Sequence, residues 1–340
     1  MNHLIKRLAI IAFLAIFTGF LMGGISRAET PEEFYRGKTI AWVVSIEAGS
    51  PGDLMARTIA TFLGKEIGAK VRVENRKTDE GINYLYKQKG ESLIMGLESA
   101  DSIIYNEILK APGVRYETDK LNFLADVYPT VKILMISPKL PYKTLDDLRK
   151  AKGLRGGATS TKGSMAVSSA VMLEILGLDG KIITGYNGKK SVILALARGE
   201  ADFVVVSDSS SVRDEKAGYV VNIMTIGDQR SVAVPHIPSL LDLGVKVPKE
   251  LESIHKLIIA AGTAVFMPPG VPPERVEYLR KVFQDLNNNK ELQVAKAKLT
   301  GISVPFLPGK EVQQAMAEIK ADKGLVPKLD AIFKKYTAVR

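Results

Sequence analysis

A three-part unit recurs along this chain: an apolar run, a loop of Gly, Ser and Thr, and a helix-forming stretch closed by glycine. It first appears where TIAWVVS (39–45) runs into IEAGSPG (46–52) and a helix starts at Asp53, with Met55, Ile59, Phe62 and Leu63 on one face and Gly68 as the stop. It returns where GATSTKG (157–163) precedes a helix from Ser164, with Met165, Met172, Leu173 and Leu176 along its apolar face and Gly177 at its end. The third copy runs from KIIT (181–184) through Tyr186-Asn187-Gly188 to a helix stopped at Gly199. Such alternation predicts an α/β protein. Loops of this kind lie outside the carboxyl ends of strands, where ligands of open α/β sheets gather. A helix entered from one points unpaired backbone N–H groups and the positive end of its dipole at whatever lies before it, which favours an anion. The candidate ligand contacts are therefore Gly49, Ser50, Gly52 and Asp53; Thr161, Lys162, Gly163 and Ser164; and Tyr186, Asn187 and Gly188. Any one loop alone is equally an ordinary βα connection. A site using all three would lie between two lobes.

The rest of the chain fits two lobes. KVRVE (70–74) alternates with period two, and FVVV (203–206) leads as a strand to Ser207-Asp208-Ser209. Apolar runs near 134 and 260 are natural crossing strands, which divides the chain into a first lobe of 29–133 and 255–340 and a second lobe of 134–254. The N-terminus differs: Lys6 and Arg7, an apolar stretch over 8–22, and Ser26-Arg27-Ala28 together predict a secretory signal peptide cleaved after Ala28. Cleavage leaves 312 of 340 residues and lowers the formal net charge from +10 to +7, because Lys6, Arg7 and Arg27 leave with no acid. No later segment looks transmembrane. Charges of both signs are interspersed, so they read as solvated faces with some bias toward anionic ligands, and nucleic acid is not expected as a partner.

Catalytic machinery is not visible. The chain contains no cysteine, which removes disulfides, thiol nucleophiles and lipid attachment at cysteine. His3 lies in the leader, His236 lies between Pro235 and Pro238, and His255 has no second histidine near it, so neither a metal site nor a cofactor is expected. H-E-x-x-H, P-loop and G-x-S-x-G patterns are all missing. Ser164, opening a helix, is more simply a cap or an anion ligand than a nucleophile.

These same stretches resemble the periplasmic receptors of tripartite tricarboxylate transporters, the Bug receptors. The similarity is carried in order by Gly37-Lys38-Thr39-Ile40, GSPGD (49–53) with Ala56-Arg57, VENR (73–76), PYKTL (141–145), GYNG (185–188), LALARGEAD (194–202), PHIPS (235–239) and PPGVP (268–272). The resemblance implies a type II periplasmic binding protein: two α/β lobes around a cleft, a small organic carboxylate as ligand, integral membrane permease subunits as partners, and a monomer. It implies that the three loops hold the ligand carboxylate and that Asp208 lies where the distal part of the ligand is selected. A sensory receptor of the same fold signalling to a membrane kinase, or an enzyme on the same scaffold, are the alternatives. The sequence departs from the family at Glu47, at RKTDEG (76–81) and at Lys189. Glu47, Asp53 and Asp208 would disfavour a polyanion, and Lys162 and Lys189 would offset them.

Overall fold

A computed structural model describes residues 29–46, 48–161, 163–259, 262–300 and 303–337. The expected leader, Glu47 and Lys162 lie outside the described residues. The chain divides into two units, one ending at Phe34 and a body from Tyr35 onward. In the first, Thr30 opens helix α1 (Pro31–Tyr35): its hydroxyl accepts from Glu33 N at 3.2 Å, and the Glu33 carboxylate accepts from Thr30 N at 2.9 Å.

The body is built on two sheets. The first has six strands in the order β11-β4-β10-β3-β1-β2, with β1 (Thr39–Val44) parallel to β2 (Lys70–Asn75) and to β3 (Ile94–Ser99). Strand β10 (Thr263–Met267) runs antiparallel between β3 and β4 (Asn122–Asp126), and β11 (Leu307–Pro308) closes the far edge. In β1, Ile40, Trp42, Val43 and Val44 are all buried, as a strand covered on both faces requires, whereas β2 at the edge has no fully buried residue. The second sheet has the order β7-β6-β8-β5-β9, from β5 (Lys132–Ile136), β6 (Leu154–Gly157), β7 (Gly180–Ile183), β8 (Phe203–Ser207) and β9 (Val221–Thr225).

The helices after the three loops form where the pattern places them. Helix α2 (Pro51–Ile67) is capped by Ser50, and α6 (Ser164–Leu176) and α7 (Gly188–Arg198) follow the second and third loops. Gly68, Gly177 and Gly199 all end their helices in the left-handed conformation, with φ of 64, 65 and 76°. Three further helices in the same stretch are α3 (Thr78–Lys87), α4 (Ala100–Ile108) and α5 (Leu145–Lys150). Helix α6 is more deeply placed than a one-faced helix: ten of its 13 residues are buried. The second sheet covers one side of it, while α9 (Glu252–Ile259) and α13 (Leu325–Tyr336) cover the other.

The chain crosses between sheets at 127–131 and returns between β9 and β10. The expected crossing strand near 260 is instead the end of α9, whose Ile254, Leu257 and Ile258 bury one helical face, and then β10. Helices α10 (Pro273–Asp285), α11 (Lys290–Thr300) and α12 (Gly309–Ala321) stay with the first sheet's half, α10 and α12 against β4 and α11 against α2. Helix α13 does not: Thr337 at its end bridges Ile182 of β7, and Lys335 and Tyr336 bond Glu174 of α6 at 2.7 and 2.6 Å. Residues 325–337 of the expected 255–340 segment therefore pack on the second sheet's half.

Candidate functional site

Between the two sheets lies a cavity of about 450 Å³, into which the carboxyl ends of β1, β3 and β8 open. From the first half it is lined by Ser50, Pro51 and Gly52 at the start of α2 and by Ser99, Asp101 and Ser102 at the start of α4. The second half supplies Thr159, Gly163, Ser164 and Met165 around the start of α6, with Lys189 from α7 and Ser207 and Ser209 after β8. Lys132 and the crossing residues Tyr128 and Thr130 form its inner wall.

The structure sorts the predicted site residues by position. Ser50, Gly52, Gly163 and Ser164 line the cavity, and Gly49, Asp53, Thr161, Tyr186, Asn187 and Gly188 do not. Asp53, 1 % exposed, turns inward to tie its own loop together, accepting from Gly49 N at 2.8 Å, Asn75 Nδ2 at 2.9 Å and Arg57 Nε at 3.1 Å. Burial alone would raise its pKa, but those hydrogen bonds outweigh it and hold the carboxyl below its ordinary range. Tyr186 packs partly buried against the apolar cluster around Val192 and Ala201. Asp208 lines a second cavity of about 800 Å³ and accepts a hydrogen bond from the Ser231 hydroxyl at 2.6 Å. Burial pushes its carboxyl above the ordinary range despite that bond and the Lys189 charge.

Three polar residues outside the predicted set, Asp101 and Lys132 on the cavity wall and Ser168 buried behind it, bind the two halves together. The Lys132 ammonium donates to Asp101 Oδ2 at 2.8 Å, to Ser164 Oγ at 2.9 Å and to Ser168 Oγ at 2.7 Å. The Ser164 hydroxyl in turn donates to Asp101 Oδ2 at 2.5 Å. A carboxylate from the first half thus accepts from the side chain of the first residue of α6 in the second half, with Lys132 as its counter-ion. The Lys132 ammonium, donating to three oxygens, has no lone pair with which to take the serine proton. The sequence carries one hint of it: Lys132 heads the otherwise apolar strand KILMI.

Lys189 is the other cation among the described residues that line the cavity. Its residue as a whole is half-buried, but the ammonium reaches under the end of β8, donating to Ser207 O at 2.8 Å and Ser209 Oγ at 3.2 Å. Burial pushes its pKa down to about 8, against the raising effect of the Asp214 and Asp208 charges. Among the described residues no group of three or more His, Asp or Glu side chains could hold a metal, and no helix is long and apolar enough to cross a membrane.

Residues 55–323 match the family described as the tripartite tricarboxylate transporter family receptor. The chain belongs to that family. Protein BugT of Bordetella pertussis is 21 % identical over 329 residues, which covers 94 % of this chain and 98 % of BugT. A TctC solute binding protein from Polaromonas superposes with a TM-score of 0.70 at 18 % identity, over 86 % of this chain and 99 % of that one. MatC from Rhodopseudomonas palustris, solved with bound malate, superposes with a TM-score of 0.62 at 17 % identity, over 87 % and 99 % of the two chains. The two sheets of this receptor, joined at 127–131, are thus the two lobes of a periplasmic binding protein, and the 450 Å³ cavity is its interlobe cleft.

Proposed function

We propose that this receptor is exported through a leader cleaved after Ala28, holds a small organic carboxylate in the interlobe cleft without turnover, and delivers it as a monomer to the integral membrane subunits of a tripartite tricarboxylate-type transporter. The observation that carries the reading is the Lys189 ammonium. It borders the cleft beside the first turn of α7, and among the described residues its hydrogen bonds go to the neutral oxygens of Ser207 and Ser209. A cation whose hydrogen bonds go to neutral acceptors favours an incoming anion even with the Asp208 and Asp214 charges nearby, and the start of α2 on the opposite wall adds N–H groups and dipole of the same sign. MatC, with the same fold, carries malate. The Asp101 carboxylate neutralises Lys132, so among the described residues lining the cleft Lys189 remains the cation that a ligand would meet.

Calorimetric titration of the mature chain with a panel of organic acids tests the reading. An affinity near the micromolar level, about −8 kcal/mol, is expected, with the acid recovered unchanged. A flat response across the panel, or any product, refutes it.

A further inference from the structure

We infer that the ligand is an amphipathic monocarboxylate, with one carboxylate at Lys189 and an apolar body lodged in the larger chamber beside the cleft. The inference rests on the carboxylate reading above and adds the chemistry of the remainder of the ligand. The 450 and 800 Å³ cavities share Pro51, Tyr128, Thr130, Lys132 and Ser209, so the two adjoin. Ser209 marks the junction, because its hydroxyl accepts from the Lys189 ammonium at 3.2 Å while the same residue lines the chamber.

Beyond that junction the chamber is unusually apolar for a surface open to water. Val232, Leu307 and Leu299 are 64, 42 and 39 % exposed, and all three line it, together with Val212 and Ile259. Large apolar side chains gathered in a concavity mark a binding surface, whereas single ones scattered over a surface do not. Its charges argue against a second carboxylate. Arg213 is paired with Asp214 at 3.1 Å and Arg230 with Asp242 at 2.7 Å, and Lys132 is held by Asp101. Lys216 lines the chamber too, but so do the acids Asp208 and Asp228. A ligand with acids at both ends would bring its second charge into a chamber lined by Asp208 and Asp228.

The test is a chain-length series on the mature receptor by calorimetry, using butyrate, hexanoate, octanoate and octanedioate. Each added methylene should tighten binding about fourfold if it enters the chamber, and octanoate should bind at least tenfold more tightly than octanedioate of equal length. Val232→Glu, at an exposed position, should weaken octanoate at least tenfold and flatten the series. Octanedioate binding as tightly as octanoate, or a series with no dependence on length, overturns the inference while leaving a carboxylate receptor standing. If none of the four acids binds and the wider organic-acid panel is also silent, the carboxylate reading itself fails, and this inference with it.

Discussion

Replacing Asp101 with Asn should cost the receptor more stability than any surface substitution could. The side chains of Lys132 and Asp101 are 3 and 8 % exposed, and their charges are 2.8 Å apart. At an effective dielectric of about 20 that separation corresponds to about 6 kcal/mol of attraction. Asn keeps an oxygen near Lys132 and Ser164 and so recovers part of it, but the ammonium is then buried with neutral partners only. Breaking one side of a buried pair in this way costs about 3–5 kcal/mol. Urea unfolding reads the loss directly, since the single tryptophan, Trp42, is buried in β1 and reports on the first lobe. Circular dichroism reports on both lobes. The partner substitution separates charge from packing: Asp101→Asn combined with Lys132→Met should return to within about 2 kcal/mol of wild type, because removing both charges also removes their desolvation cost. A third variant, Asp101→Gly, leaves space beside Lys132 and the start of α6, and millimolar acetate should restore part of its stability by occupying it. A cost below about 1 kcal/mol for Asp101→Asn, or a double variant no more stable than the single one, would refute the view that this acid is the buried counter-ion of Lys132.

Four further outcomes follow from the same geometry. Lys189→Met should weaken carboxylate binding about ten- to a hundredfold, the worth of a hydrogen bond to a charged group; in wild type, affinity should fall as pH rises through about 8, where the free receptor loses the Lys189 proton, and calorimetry at pH 7 and 9 checks both. Ser164→Ala should lower urea stability by about 1–3 kcal/mol yet change affinity less than about tenfold, because the hydroxyl proton is already committed to Asp101. Asp126→Asn should stabilise the protein at pH 8 and not at pH 4: burial raises the Asp126 carboxyl to about 7, so the folded state holds a proton the unfolded state releases, and that contribution, present in acid, is lost as pH rises through about 7. Its Oδ1 accepts from Thr263 N and Tyr128 N at 2.9 and 3.1 Å, bonds an amide oxygen can keep, and thermal melts at the two pH values decide the matter. Gly188→Val should lower stability by about 1–2 kcal/mol, since φ is 81° there and a β-branched residue is strained in that region even with open space around it; an unchanged melting temperature would count against this.

What could be read in advance was the local part of the site. Ser50 caps α2, and Gly68, Gly177 and Gly199 stop their helices, because capping and left-handed glycine are decided within a few residues of chain. The pairings that set the charge of the cleft are of another kind. Asp101 and Lys132 are 31 residues apart on different lobes, and their contact depends on how the two sheets face each other. Glu174 and Lys335 are 161 apart, which is why nothing in the last helix announces that it returns to the second lobe. Lys189 shows the same limit at shorter range. A lysine in the first turn of a helix is ordinarily solvated, and only the backbone turn at Gly188 and the end of β8 bring this ammonium under Ser207. The helix ends alone make all three loops look alike to an anion. With the long-range pairs in place they differ, since the first side chain of α6 already donates to a carboxylate of its own chain and α7 carries a lysine bonded to neutral oxygens. A variant that alters the Asp101–Lys132 pair should therefore change which acids bind, even though neither residue belongs to a predicted loop.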